Sequence, residues 1–304
     1  MIEKITQLFR ICYPNIVRAE DSIRHTVAQE DNKILTRFDG DKLIGAAVYY
    51  DDHILLLCVL PEYRGRGIGS ELLNECEDAI RGAGYSAVYL SAGRKYLTPG
   101  APMVFPHYEN NRAFFEKRGY VHTWGEGKCV DMMLNMADLD DLGVHLGDTV
   151  PGVSKKEALD PDDPKNRFTY RFAAPEDMEK TADCVQEAAD YFVRYYQRRH
   201  AYEGKNGSHV LIAENGEGLI CGALLVTEGG EAPGLGSVGC TSTRKSFAGR
   251  GIATNMVKAG TMFLKEQGMT QGYLGYTYTE IIPMYARAGY AVSMEYFMGE
   301  KKFS

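Results

Sequence analysis

Residues 64–73 read RGRGIGSELL, directly after the apolar run Ile54–Leu60 and the turn PEY. Residues 249–257 read GRGIATNMV, after GSVGCTSTRKSFA. An apolar strand, a glycine turn and an amphipathic helix are thus written twice, 184 residues apart. The offset holds beyond the turn. Ile68, Leu72, Leu73, Cys76 and Ile80 fall on one helical face, and so do their counterparts Ile252, Met256, Val257, Gly260 and Leu264. Gly84 and Gly268, also 184 apart, predict a left-handed glycine at the end of each helix. FFEKRGY (114–120) then answers MYARAGY (284–290), with 14 extra residues ahead of it in the first copy. The pattern is a duplication.

Upstream of each turn the element order also repeats. IEKITQLFRICYP and SIRHTVAQ read as helices, NKILTRF and KLIGAAVYY as a hairpin, and HILLLCVL as a strand buried on both faces. In the second copy FTYRFA, the helical stretch 176–202, HVLIAE with LICGALLVTE, and GLGSVGCTSTR take the same places. Between the copies the apolar period fails in a segment with eight acidic residues and three prolines. The expected domains are therefore 1–137 and 166–304, joined by an acidic Pro/Gly linker over 138–165.

Composition sets the class. A chain of 304 residues with 44% apolar and 25% charged residues has the profile of a globular protein. No apolar run approaches the roughly 18–20 residues of a membrane helix, and MIEKITQLFR lacks the features of a signal peptide. The seven cysteines form no CxxC pair and sit mostly in apolar patterns, which suits reduced thiols in a cytoplasmic protein. The histidines form no HxxxH or HExxH group, so no metal is expected. A net charge of −7 argues against nucleic acid as a partner. The basic-aromatic stretch YFVRYYQRRHAY (191–202) therefore reads as a half-buried helix face.

A glycine turn between a strand and a helix aims several backbone N–H groups at one point, where the helix dipole also favours an anion. Glycines at 65, 67 and 69 let a ligand approach without a Cβ in the way, and Arg64 and Arg66 add positive charge. Nucleotide diphosphates and coenzyme A both fit that description. A P-loop does not, because neither copy carries the GK[ST] ending; a dinucleotide fingerprint does not, because the spacing is GxGxG and SAVYLSA ends without an acid. A turn used for packing alone is the plain alternative, and two matched copies weigh against it.

Arg64, Gly67 and Gly69 match the Arg/Gln-x-x-Gly-x-Gly/Ala pattern, and NNRAFFEKRGY matches the later Asn-led helix, so the chain resembles the GNAT N-acetyltransferases, twice over. The resemblance implies a mixed α/β fold: two tandem domains, each with a central, mostly antiparallel sheet flanked by helices and a splayed central strand pair. It implies acetyl-CoA as acyl donor and a small amine as acceptor, with direct attack in a ternary complex. Donor contacts fall on Leu57, Val59, Arg64, Gly65, Arg66, Gly67, Ile68, Gly69, Ser70 and Asn111 in the first copy. In the second they fall on Thr241, Thr243, Gly249, Arg250, Gly251, Ile252, Ala253 and Thr254. The copies depart from the pattern in opposite ways. The first has Phe115 where the family places a tyrosine that protonates the departing thiolate; the second keeps Tyr285 but has Ala248 in place of the leading Arg/Gln, with Lys245 and Arg250 as substitute charge. Tyr285 is accordingly the expected catalytic acid, with Tyr108 or His107 as the alternative. Candidate bases are Glu228, Glu231, Glu280, Asp51, Asp52 and Glu109, none singled out by the pattern. A non-catalytic acyl-CoA-binding sensor is the alternative function.

Overall fold

The computed structural model describes residues 1–103 and 110–303. Two compact units emerge: Met1–Val130 with Met294–Ser304, and Asp131–Ser293.

In the first unit, helices Ile2–Cys12 and Glu20–Val27 precede an antiparallel meander of Lys33–Asp39, Lys42–Tyr50 and His53–Val59. The third strand hydrogen-bonds in parallel to Ala87–Leu90 after the excursion of helix Ile68–Gly82. That helix buries Leu72, Leu73, Cys76 and Ile80 in a cluster with Val59, Phe115 and Tyr120. Ile5, Leu8, Phe9 and Cys12 of the first helix fill a second cluster with Ile44, Ala46, Val48 and Cys58. The sheet is thus covered on both faces, which explains why HILLLCVL is apolar without alternation.

The parallel pairing ends early. Only His53↔Tyr89 and Ile54↔Leu90 are matched, after which Ser91 and Ala92 enter left-handed backbone (φ +60° and +58°) and the strand turns away. The second unit repeats this: Leu235–Thr243 pairs with Gln271–Tyr278 at Leu235↔Gln271, Gly236↔Gly272 and Ser237↔Tyr273, and Tyr276 has φ +54°. Ser237 is the counterpart of His53 and Tyr276 of Ala92 at the same 184-residue offset. The glycines agree as well. Gly67 and Gly251 are the left-handed N-caps of helices Ile68–Gly82 and Ile252–Glu266, and Gly84 and Gly268 follow their ends at φ +91° and +78°. Each half thus has a mostly antiparallel sheet, flanking helices and an opened central strand pair, as expected.

The two units are completed in an interleaved way. In the first, Gly299–Lys302 lies between Ala87–Leu90 and Val121–His122, antiparallel to both. In the second, the strand beside Gln271–Tyr278 is Cys129–Asn135. These two strands are counterparts in the late part of the repeat, so each unit takes its last strand from the other copy. Backbone groups at an unfilled sheet position must find partners, and both positions are filled. The units therefore depart from a contiguous division at residues 137 and 166. Segment 138–165 belongs to the second unit, where Thr149–Pro151 pairs with Arg167–Phe172 and Leu139 and Val144 are buried.

Candidate active site

In the first unit the splayed strands open a cavity of about 490 Å³. Its floor is the strand Ile54–Val59 and its mouth the turn at Arg64, Gly65, Gly67, Ile68, Gly69 and Ser70. Ladder parity fixes which backbone groups face it. Leu60 N–H donates to Ile44 O (2.9 Å), so alternate residues 58 and 56 bond to the neighbouring strand, while Leu57 and Val59 turn their N–H and C=O toward the opening. Side chains occupy both of these carbonyls. Tyr13 Oη donates to Leu57 O (2.8 Å), Arg64 Nε to Val59 O (3.0 Å), and Cys12 Sγ also reaches Val59 O (3.4 Å). Ser91 Oγ, on the facing wall, is buried with no hydrogen-bond partner among the described residues. A buried orphan hydroxyl facing a strand whose Leu57 and Val59 N–H groups point into the opening suits a polar, extended chain lying between the strands.

At the mouth, no side chain among the described residues caps the first turn of helix Ile68–Gly82, and Arg64, Gly65, Arg66 and Gly67 are exposed. Positive φ at Gly65 (+75°) and Gly67 (+89°) lets this turn form. Arg66 donates to Glu62 O (3.0 Å) and lies over the Tyr63 ring, so its charge stays at the rim. Asn111 opens the late helix Asn111–Glu116 and donates to Pro102 O (2.9 Å) at the cavity wall. Arg118 is a residue that the sequence reading missed. Its guanidinium stacks 3.8 Å from the Phe114 ring centroid and donates to Ser70 Oγ (2.5 Å), placing a cation beside the anion-binding turn. The signal was there, since Arg118 falls at the end of FFEKRGY, but only the fold brings it to Ser70. Phe115 packs in the core edge-on to Tyr120. Tyr108, His107 and Glu109 lie outside the described residues.

The second unit has the same backbone and different surroundings. Gly249 and Gly251 keep φ +80° and +81°. Across this turn runs the acidic segment: Val153 N–H donates to Arg250 O (3.1 Å), and the Val153 side chain would stand 3.2 Å from a Cβ at Gly251. Arg250 itself donates to Asn166 Oδ1 (2.8 Å) and faces Glu157 at 3.7 Å. Lys245 contributes its backbone N–H to Glu187 (3.0 Å). Ile252 is buried under the turn, with Ala253 and Thr254 half-buried. Tyr285 is 2% exposed, and its hydroxyl shares a hydrogen bond with Thr241 Oγ1 (2.8 Å) on the opened strand. Burial pushes its phenol up to about 12. Thr243 Oγ1, one strand repeat on, is buried without a partner among the described residues.

The carboxylates proposed as bases have partners or lie open. Asp52 bonds His53 (2.6 Å), Asp51 bonds Arg94 (3.1 Å) and Tyr85 (3.2 Å), and Glu228 bonds His209 (2.7 Å); Glu280 is exposed. In the stretch 191–202, Tyr196 and Tyr202 are core residues, while Arg194 and Arg198 stack on Tyr195. No described helix is long and apolar enough to cross a membrane.

Comparison with known proteins agrees with this geometry. The acetyltransferase (GNAT) family model matches residues 2–120 and again 174–290. Among curated proteins no sequence matches. Among solved structures, a glucosamine N-acetyltransferase region of a fungal multi-domain β-N-acetylglucosaminidase superposes with TM-score 0.73 at 18% identity, over 98% of this chain and 36% of that one. An N-acetyltransferase from Sphaerobacter thermophilus gives 0.68 at 17% identity, covering 98% and 91%. A tandem GNAT protein from the clavulanic acid biosynthesis pathway gives 0.64 at 15% identity, covering 99% and 94%. At such identities the structural likeness speaks for the fold, and the two matched segments speak for the family. The chain belongs to the GNAT acetyltransferase family and carries two GNAT units in tandem.

Proposed function

We propose that this protein is an N-acetyltransferase that moves an acetyl group from acetyl-CoA to the amine of a small molecule, and that the first unit holds the donor. The cavity carries this reading, because there the glycine turn, the open strand edge and the orphan Ser91 hydroxyl line one continuous space. The N–H groups at Gly65 to Gly69, with Arg118, would bind the diphosphate; the edge at Leu57 and Val59 would pair with the pantetheine arm. The Leu57 N–H, pointing the same way as its carbonyl, would polarise the thioester oxygen. Attack by the deprotonated amine then forms the amide and releases the CoA thiolate. Seven cysteines, none in a disulfide among the described residues, suit a reducing, cytoplasmic compartment.

One observation favours a second reading, in which the second unit turns over and the first only binds. The Tyr285 hydroxyl touches Thr241 on the opened strand and stays protonated at neutral pH, as a proton donor must. Initial rates of CoA release from acetyl-CoA with a panel of primary amines separate the readings. Transfer in the first unit predicts that Tyr285→Phe turns over within about 3-fold of the unsubstituted protein. A fall of at least about 10-fold would move the chemistry to the second unit. Acetyl-CoA binding with no release for any amine would instead favour the non-catalytic sensor.

A further inference from the structure

The first cavity lacks the family tyrosine, yet a phenol does line it. Tyr13 follows helix Ile2–Cys12, and its hydroxyl donates to the carbonyl of Leu57, one of the two residues whose backbone faces the opening. Other polar hydrogens in the cavity are less suited to protonating a thiolate: Ser91 Oγ lines the same space, but an aliphatic alcohol is a much weaker acid than a phenol. Tyr63 Oη is committed to Asp39 (2.7 Å), and Thr98 Oγ1 donates to Gly100 O (2.9 Å). Cys12 reaches Val59 O, about 7 Å nearer to the glycine turn by two residues of strand rise. An acyl chain whose diphosphate sits at the turn extends back along the strand from Val59 toward Leu57, so its sulfur end lies on Tyr13's side.

A similar contact, one residue out of the 184-residue offset, lies in the other copy, where the strand carries a bulge. Tyr196 Oη donates to Cys240 O (2.7 Å), and both tyrosines precede their acceptor by 44 residues. There the opened strand is served by two phenols, Tyr196 and Tyr285. In the first unit Phe115 leaves Tyr13 as the phenol on that strand among the described residues.

We infer that Tyr13 is the proton donor to the CoA leaving group in the first unit. The inference rests on the reading that acetyl-CoA is bound and used there. The amine lone pair forms the new C–N bond, the C–S bond breaks with its electron pair on sulfur, and Tyr13 Oη gives its proton to the thiolate. The tyrosinate regains a proton from solvent, which takes up the one lost by the amine. Net, amine and acetyl-CoA become amide and CoA thiol.

The test uses the full chain, acetyl-CoA, and primary amines or water as acceptor. Tyr13→Phe keeps the ring, so acetyl-CoA affinity by calorimetry should stay within about 3-fold while the rate of CoA release falls at least about 10-fold. The alkaline limb of the kcat–pH profile, where a phenol acid ionises, should disappear with it. Lowered turnover with that limb intact would mark a structural effect and overturn the assignment. Unchanged turnover would overturn it, and Tyr285→Phe then tells the two failures apart: turnover unchanged there as well leaves the first-unit reading standing, whereas a fall of at least about 10-fold removes that reading too. Failure of the unsubstituted protein to bind acetyl-CoA would overturn the assignment together with the reading beneath it.

Discussion

Gly65 and Gly67 in one unit, and Gly249 and Gly251 in the other, have nearly the same backbone angles and cap equivalent helices. What differs is the material over them. The first turn is exposed, with Arg118 beside it and a cavity behind it. The second has Val153 laid against Gly251, its arginine engaged by Asn166, and no arginine at position 248. An anion site needs uncommitted donors as well as a turn. Duplication preserved the turn in both copies, and the neighbouring residues set what each one offers.

The difference can be broken by touching the turns themselves. A β-branched residue at φ near +85° is strained in either unit, so Gly67→Val and Gly251→Val should both lower the melting temperature somewhat. Only Gly67→Val should weaken acetyl-CoA binding. Loss of two N–H contacts to a charged group, at about 1.5–3 kcal/mol each, corresponds to at least about a 100-fold rise in Kd. Equal weakening by Gly251→Val, measured by calorimetry, would erase the distinction.

A second contrast lies beneath the loop helices. Glu77, 4% exposed, accepts from Tyr120 Oη (3.0 Å) and pairs with Lys301 of the exchanged strand. Its counterpart is Thr261, whose hydroxyl meets Tyr290 Oη at 3.2 Å. Removing one partner of a buried ion pair costs about 3–5 kcal/mol, and a neutral hydrogen bond about 1 kcal/mol. Lys301→Met should therefore destabilise the protein clearly more than Thr261→Val in denaturant titrations. The reverse order would deny that the exchanged strand is held by this pair.

The smallest effect concerns the segment over the second turn. His145 lies between Asp141 (3.0 Å) and Glu266 (3.2 Å), which raise its pKa above the usual value of 6.5, Glu266 first. A raised folded pKa means that this tether contributes fully below about pH 6.5 and is lost as pH rises through the folded value. Stability should fall slightly as pH rises above about 6.5, and His145→Gln should remove that slope. The first turn should not respond.

Much of this was legible in the sequence because the repeat carries its own control. Glycines at matched offsets announced left-handed backbone, and apolar spacing announced the helix faces that Leu72, Leu73, Met256 and Val257 bury. The strand exchange was not legible, because Cys129–Asn135 and Gly299–Lys302 would satisfy the same sheet position in either copy. Nor was Tyr13, since nothing local marks a tyrosine after a helix as facing a strand 44 residues away. Val153 escaped for a related reason: an acidic Pro/Gly segment reads as a linker whether or not it lies on a neighbour.

The central claim is that two copies of one turn have become unequal, and the stoichiometry of acetyl-CoA on the intact chain tests it most directly. Calorimetric titration should give a single acetyl-CoA per chain, abolished by Gly67→Val and retained by Gly251→Val. Two equivalents of comparable affinity, or a single one that survives Gly67→Val, would contradict it.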